Sequence, residues 1–202
     1  MSIDTLVEDV HFPKHAAAFD IATRALSVSL SDLAAMGASP VGFTLAITLP
    51  KQLASESWIS DFSKGLAFMA QKFQCPLIGG DTTQGPALVL SLQVHGTVER
   101  GKSLKRSGAQ VGDKVYVSGP LGNGAGALPL VLETDFTATK NEFFHNAFYK
   151  PLPQIKFGQS ILNHATSALD ISDGLMQDLM HIGKASQVSM DIQSSLLPLA
   201  DE

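Results

Sequence analysis

Cysteine is almost missing from this sequence of 202 residues, which contains a single one, Cys75. One thiol excludes an intramolecular disulfide, so the cysteine usage fits a reducing compartment. No apolar run approaches the roughly 20 residues that a membrane span needs, and the first residues lack the basic-then-apolar pattern of a secretion signal. We therefore expect a soluble, cytoplasmic protein with no membrane partner.

Basic residues are also few. Lysine and arginine number 14 against 19 aspartates and glutamates, which gives a formal net charge of −5. This acidic balance argues against a general nucleic-acid binder. Apolar residues are plentiful at 45%, which is enough to bury a sizeable core in one large domain or two smaller ones.

The first half of the chain predicts alternating strands and helices. Apolar residues at helical spacing predict a helix over 15–36, ended by Gly37, and a second over about 57–73 with Ser55 or Ser57 as its N-cap. Strand patterns cover 2–7, 43–49, the apolar run before Gly79 and 88–98. This order is typical of an α+β unit with one helical layer on a mixed or antiparallel sheet.

The second half predicts an incomplete α/β domain. Residues 100–112 form a polar connector with the only basic cluster, either a solvated surface or a place where anionic groups bind, and we divide the domains here, into 1–109 and 110–202. Strand patterns follow at 114–118, from 168 and at 188–192. A glycine-rich turn opens a helix that Pro129 should kink or shorten. Further helical patterns cover 141–149, 154–163 and 175–185.

The stretch 76–86, PLIGGDTTQGP, carries the strongest chemical signal. A short apolar run reads as a buried strand that stops at two glycines, followed by Asp81 and two threonines. Glycine N–H groups can approach phosphate oxygens closely, and carboxylate and hydroxyl oxygens are the ligands that Mg²⁺ prefers. An ordinary turn between strands is the alternative.

Further acids stand at element ends. Asp32 lies in the last turn of the first helix, where the helix dipole disfavours a carboxylate, so it indicates either a bound cation or a solvated helix end. Asp173 can cap the helix that follows it. Asp170, three residues before Asp173, has no such structural role. A lone histidine such as His11 is more often structural or merely exposed than a ligand.

Together these stretches resemble the thiamine-monophosphate kinase family. The segments that carry the resemblance, in the family's order, are DTLVEDVHF at 4–12, LSDLAAMG at 30–37, LIGGDTT at 77–83, RSGA at 106–109 and DISDGL at 170–175. Aminoimidazole ribonucleotide synthetase, selenophosphate synthetase and a hydrogenase maturation factor belong to the same superfamily. The DTLV…HF opening and LIGGDTT fit the kinase best.

The resemblance implies ATP-dependent phosphorylation of thiamine monophosphate to thiamine diphosphate, assisted by several Mg²⁺ ions. It implies an N-terminal domain that pairs with its copy in a homodimer and a C-terminal domain that closes over the nucleotide. By position, the metal ligands would be Ser2, Asp4, Asp32, Asp81, Asp170 and Asp173. The ATP contacts would be Gly80, Asp81, Arg106 and Ser172, and His11 would contact the substrate.

The sequence departs from the family in three places. Ile3 stands where a threonine is usual, and a preceding Gly-Asp-Asp segment and a later Gly-Gly-Glu-Asp-Tyr stretch are absent. We therefore expect a chain that lacks both ends of the family's length. Two other functions stay open: a non-catalytic remnant that dimerises and binds nucleotide, and a sister enzyme that uses ATP on another acceptor.

The chain contains no GxxxxGK[ST] phosphate loop, so the ATP triphosphate that the resemblance implies would be bound through the aspartates instead. Two unit charges 4 Å apart interact by about 4 kcal/mol at an effective dielectric of 20. Several carboxylates facing ATP would thus repel it far more than one arginine could offset. Divalent cations that bridge carboxylates and phosphates make the arrangement attractive.

Overall fold

A four-stranded sheet and two long helices form the first half of the protein, and shorter helices form the second half. The computed structural model describes residues 1–200. The strands are β1 (Ser2–Val7), β2 (Ser39–Leu49), β3 (Leu77–Gln84) and β4 (Val89–Thr97). The helices are α1 (Ala18–Ala35), α2 (Glu56–Phe73), α3 (Asn123–Val131), α4 (Glu142–Tyr149), α5 (Ile155–Ser160) and α6 (Leu175–Ser186). Among residues 1–200, no helix is long and apolar enough to cross a bilayer.

The sheet has the order β1-β4-β2-β3 and is mixed: β4 runs antiparallel to β1 and β2, whereas β2 and β3 are parallel. Leu6, Leu90 and Ile47 share one row across the sheet and are all buried in the main core with residues of α1 and α2. Apolar alternation along each strand thus places one face of the sheet under the helices. The predicted α+β class is confirmed, with the helical layer on one face.

The two long helices follow the predicted pattern closely. Ser55 caps α2, since its Oγ accepts a hydrogen bond from the Trp58 N–H at 3.2 Å. Helix α1 begins at Ala18, three residues later than predicted, because Ala17 is extended and starts no helical turn. Asp32 lies in the last turn of α1, as the sequence predicts.

Strand β3 differs from the prediction of a buried strand that ends at Gly79. It lies at the edge of the sheet, is exposed along its whole length, and continues through Gly80 and Asp81 to Gln84. Only β2 pairs with it, so the helices leave it uncovered. A Cβ atom at Gly80 would lie 2.0 Å from the Leu45 carbonyl oxygen, so the close approach of two strands already requires a glycine there.

The second half of the chain differs from the predicted secondary structure more than the first half does. The strands predicted at 114–118, from 168 and at 188–192 do not form among the described residues. In the described part of this half, the one isolated bridge joins Leu121 to Leu199. A strand needs a ladder of hydrogen bonds to a neighbouring strand, and within residues 1–200 these segments form no such ladder, although the Ala168 N–H donates one bond to the Lys105 carbonyl. The predicted helices are confirmed, although α5 ends at Ser160 rather than at 163.

Helix α1 joins the two halves. The Arg24 guanidinium donates to the Phe148 carbonyl at 2.6 Å and stacks 3.9 Å over the Phe148 ring. The Nε2 atom of His145 lies 2.9 Å from Asp20 Oδ2. These contacts fix α4 against α1, and α5 packs on α1 beside it. The segment that precedes α6 is thereby held close to the C-terminal end of α1.

Candidate functional site

Strand β1 and helix α1 bring the first group of predicted site residues together. Asp4 shares a sheet row with Leu92, which is fully buried, so both residues lie on the face covered by the helices. Ser2 lies on the same face two residues earlier. Its hydroxyl donates a hydrogen bond of 2.5 Å to Asp32 Oδ2. The alternation of β1 and the last turn of α1 thus place two acids and a hydroxyl beside each other.

The carboxyl group of Asp4 occupies an unfavourable electrostatic environment. Burial raises its pKa above the usual value, and the nearby charge of Asp32 raises it further. The Ser29 hydroxyl and His11 act in the opposite direction, but they do not cancel these effects. A neighbouring cation would relieve this repulsion.

Asp170 approaches the same acid from the second half of the chain. Burial, followed by the charge of Asp32, raises the pKa of Asp170 to about 6, and Asp178 adds a smaller repulsion. Asp32 therefore interacts with Asp4 on one side and Asp170 on the other. The sequence predicted all three acids as candidate ligands, and the fold gathers them around the end of α1.

A cavity of about 220 Å³ opens between these groups. The predicted site residues among those lining it are Ser2, Asp32, Arg106 and Asp170. It brings Asp32 and Asp170, from the two halves of the chain, to one surface with Arg106. A larger depression of about 510 Å³ near Gly37 and Gln159 contains no predicted site residue.

Ser172 and Asp173 lie on the loop that follows Asp170. Their backbone N–H groups donate to Asp178 Oδ2 at 3.0 Å and 3.2 Å. Asp173 does not cap α6: the N-cap is Gly174, with no side-chain cap, and the Asp173 carboxylate accepts from Gln177 Nε2 at 3.3 Å. The Asp173 side chain is exposed and does not cap the backbone N–H groups of α6.

Gly80 and Asp81 lie at a distance from this cavity. Asp4, Leu92, Leu45 and Gly80 form one row across all four strands. Three strand spacings of about 4.8 Å separate the first from the last, or about 14 Å. Within one chain, therefore, the segment Gly79-Gly80-Asp81 faces solvent at the edge of the sheet opposite β1.

His11 stands on the exposed turn after β1. Its Nδ1 atom accepts a hydrogen bond from the Val7 N–H at 3.0 Å, which helps to close the turn. This contact gives the residue a structural role. Its place beside β1 also puts it within electrostatic reach of Asp4.

The donors available for a metal ion are dispersed along the cleft. Among residues 1–200, no three histidine, cysteine or acidic side chains converge on one point. The acids occur instead as neighbours of Asp32, with a hydroxyl from Ser2. Mg²⁺ is commonly held by one or two carboxylates together with water and substrate phosphates, so this donor set fits Mg²⁺ once phosphates complete it.

Sequence reasoning missed Asp178 and Ser186, which hold the site segments from α6. An acid in the first turn of a helix and a serine in its last turn are ordinary features of helices. Only the hydrogen bonds that cross from α6 to distant backbone reveal their roles.

The fold and the acidic cleft define the class of protein. The model of the family described as "AIR synthase related protein, N-terminal domain" matches residues 1–98. This segment contains the whole sheet and three of the acids predicted as metal ligands, Asp4, Asp32 and Asp81.

Comparisons over the whole of this chain identify one family within this class. The chain is 43% identical over 203 aligned residues to the thiamine-monophosphate kinase of Escherichia coli strain K12. The thiamine-monophosphate kinase of Stenotrophomonas maltophilia K279a superposes with a TM-score of 0.90 at 42% identity, covering 99% of this chain and 64% of that one. That of Aquifex aeolicus superposes with a TM-score of 0.91 at 30% identity, covering 99% and 68%. The chain belongs to the thiamine-monophosphate kinase family, as the sequence motifs predict.

One further structure shows ligands on this fold. AaThiL complexed with AMPPCP and TMP superposes with a TM-score of 0.91 at 30% identity, covering 99% of this chain and 64% of that one. The alignment with the Escherichia coli enzyme takes in 100% of this chain but 62% of that protein. The chain thus spans 55–62% of the length of the curated relatives compared with it.

Proposed function

We propose that this protein transfers the γ-phosphoryl group of ATP to thiamine monophosphate and forms thiamine diphosphate. The observation that carries the proposal is the cleft at the end of α1, where Asp32, Asp170 and Arg106 meet in a member of this family. The complex of a family structure with AMPPCP and TMP supports both substrates. The cavity is smaller than a typical ligand pocket, so it suits the phosphate end of a nucleotide.

Phosphoryl transfer asks a protein mainly for positioning and charge neutralisation. We propose that Ser2, Asp4, Asp32, Asp81, Asp170 and Asp173 hold Mg²⁺ ions, which would supply the positive charge that the phosphates need. The raised pKa values of Asp4 and Asp170 support this, because neighbouring acids repel each other until a cation lies between them. Asp81 lies about 14 Å from Asp4 across the sheet of one chain, so it would share an ion with the other ligands only where a second copy brings it to the cleft. The acceptor is a phosphate oxygen that is already anionic, so no residue needs to act as a covalent nucleophile.

The remaining roles follow from the motifs. Arg106 lines the cleft and can pair with phosphate oxygens, and Ser172 lies beside Asp170 on the adjoining loop. Gly80 and Asp81 would contact ATP from the exposed strand β3, and His11 would contact thiamine monophosphate. These assignments rest on the family motifs together with the positions just described.

A homodimer through the sheet of residues 2–99 belongs to the same proposal. Strand β3 is an uncovered edge strand, and Leu77 and Ile78 on it are 53% and 57% exposed. Edge strands of this kind favour pairing with another chain. A second copy would cover these side chains.

We retain two further proposals. The division into 1–109 and 110–202 is supported by the main core, to which only Ile155 of the second unit contributes a buried side chain among the described residues, although α1 also packs on α4 and α5. A cytoplasmic location is supported by the single free cysteine, which is buried.

Activity is tested by measuring ADP release with Mg²⁺, ATP and thiamine monophosphate, and with other phosphate or carboxylate acceptors in its place. Release that depends on thiamine monophosphate supports the proposal. Release with another acceptor alone indicates a sister enzyme. Nucleotide binding without release under any acceptor indicates a non-catalytic dimerising protein.

Metal dependence is tested by calorimetry with AMPPCP. We expect binding to require Mg²⁺ and the Asp81→Asn variant to bind at least about 10-fold more weakly, as is usual for a lost ligand-shell contact. Asp61→Asn is the matched control, since Asp61 pairs only with Lys64 on the exposed surface of α2. Equal affinity with and without Mg²⁺ would refute the cation bridge.

A further inference from the structure

Helix α6 begins with a buried acid that is bonded to the loop before it. The Asp178 side chain lies in the first turn of α6 and is only 5% exposed. Its Oδ2 atom accepts hydrogen bonds from the N–H groups of Ser172 and Asp173. A buried carboxylate is stable only when such donors compensate its lost hydration. Asp178 therefore fixes the loop between Asp170 and Gly174.

The other end of α6 is bonded to the connector that carries Arg106. The Ser186 Oγ atom accepts from the N–H groups of Gly108 and Ala109, each at 3.1 Å, and donates to the Arg106 carbonyl at 3.1 Å. A serine hydroxyl offers one donor and two acceptor sites, so all of its hydrogen-bonding capacity is used here. Ser186 thereby fixes the backbone on which the Arg106 side chain stands.

One helix thus holds two segments of the cleft that are far apart in sequence. Asp178 and Ser186 are eight positions apart, which corresponds to about 12 Å along an α-helix. A backbone hydrogen bond of 2.9 Å from Ala168 N–H to the Lys105 carbonyl joins the same two segments directly. Because a helix is stiff over this length, α6 sets the separation between Arg106 and the Ser172–Asp173 loop.

We infer that Asp178 and Ser186 are positioning residues for the nucleotide and Mg²⁺ site, acting through the backbone of the Ser172–Asp173 loop and of the Arg106 segment. The inference rests on the proposed function and adds two residues that do not themselves touch the ligands. A misplacement near 1 Å in a phosphoryl-transfer site can cost roughly 100-fold in rate. Holding both segments on one helix prevents such displacement.

A purely structural role makes a different prediction. An acid in the first turn of a helix also interacts favourably with the helix dipole, and its loss would lower the unfolding temperature without a specific effect on ligands. Amide exchange separates the two roles. Asp178→Ala should speed exchange at Ser172 and Asp173 by about 10-fold and leave Gly108 and Ala109 unchanged. Ser186→Ala should speed exchange at Gly108 and Ala109 and leave Ser172 and Asp173 unchanged.

Ligand binding completes the test. We expect both alanine variants to bind AMPPCP with Mg²⁺ about 10-fold more weakly than the unaltered chain. Asp178→Asn keeps an acceptor oxygen and should recover most of the affinity. Asp191→Ala and Ser195→Ala, at exposed positions in the same half, are the matched controls and should bind normally.

Failure of the inference and failure of the proposed function give different results. If the unaltered chain does not bind AMPPCP with Mg²⁺, the proposed function and the inference fall together. If it binds, and both alanine variants bind equally well despite faster local exchange, only the positioning role is overturned. Unchanged exchange in both variants would show that the side chains do not hold the two segments, and would overturn it as well.

Discussion

Asp32 and Asp170 line the same cavity, one from the last turn of α1 and the other from the segment before α6. Burial and the charge of Asp32 together raise the pKa of Asp170 to about 6 in the folded protein, against 3.8 for a free side chain. The two halves of the chain thus meet across a repulsive pair of acids. This pair explains why the cleft should depend on a cation, and it makes stability depend on pH.

The first prediction concerns that pH dependence in Mg²⁺-free buffer. An acid whose folded pKa lies above its unfolded value binds more protons in the folded state, so stability is highest below the unfolded pKa. For Asp170, stability should fall as the pH rises from about 4 to about 6. Chemical denaturation at a series of pH values measures this slope.

The control for this prediction is Asp170→Asn, which cannot ionise and should flatten the slope between those pH values. Saturating Mg²⁺ should also reduce it, by compensating the repulsion. A slope that is the same in the variant would assign the effect to other groups.

The second prediction concerns the junction between α1 and α4. The His145 ring is 5% exposed, and its Nε2–H donates to Asp20 Oδ2 at 2.9 Å. His145→Ala removes this donor, leaves Asp20 with only Lys150 at 4.0 Å, and opens a cavity beside Tyr149. We expect a loss of about 2–4 kcal/mol in the free energy of unfolding, measured by urea denaturation.

The matched control is His164→Ala at an exposed position, which should change stability by less than about 0.5 kcal/mol. Similar small losses for both histidines would show that the His145–Asp20 contact contributes little to holding the halves together.

Local sequence patterns predicted the first half of the fold well because its signals are local. Helical spacing fixed α1 and α2, and the Ser55 cap formed as expected. Position within the sheet is not local. Gly79 and Gly80 indicated the end of a buried strand, but β3 proved to be an exposed edge strand, because no further strand or helix covers it.

Some site residues could likewise be recognised from local sequence, whereas others are revealed only by contacts in the fold. Carboxylates at element ends could be recognised from the sequence, and the cleft gathers Asp4, Asp32 and Asp170 around the end of α1. Asp178 and Ser186 form hydrogen bonds to backbone 5 to 80 residues away, as the Asp173–Asp178 and Ser186–Arg106 pairs show. No local pattern encodes such contacts.

The third prediction tests the close packing of α5 on α1. A Cβ atom at Gly158 would lie 2.0 Å from the Ala34 carbonyl oxygen, which belongs to helix backbone and cannot move aside cheaply. Gly158→Ala should therefore destabilise the protein by about 1–3 kcal/mol, as measured by thermal or urea unfolding.

Gly124→Ala is the control within another helix, since a Cβ atom there meets nothing within 4 Å. It should be neutral or stabilising by up to about 1 kcal/mol, because alanine favours the helix and restricts the unfolded chain. An equal loss in both variants would mean that the α1–α5 contact does not control the effect.

The last prediction concerns association through the exposed edge of the sheet. Strand β3 leaves its backbone groups unpaired on one side, and Ile78 on it is 57% exposed. We expect the chain to sediment as a dimer at micromolar concentration, and Ile78→Lys to sediment as a monomer, since a charge at an edge strand opposes pairing. Ile59→Lys is the matched control, because Ile59 is similarly exposed at 47% but lies on α2 in the helical layer, and this variant should remain dimeric. Thermal unfolding should show both lysine variants folded, so that a loss of association is not a loss of structure. A monomeric unaltered chain, or an Ile78→Lys variant that still dimerises, would exclude β3 as the interface and would leave Asp81 exposed to solvent at the edge of the sheet.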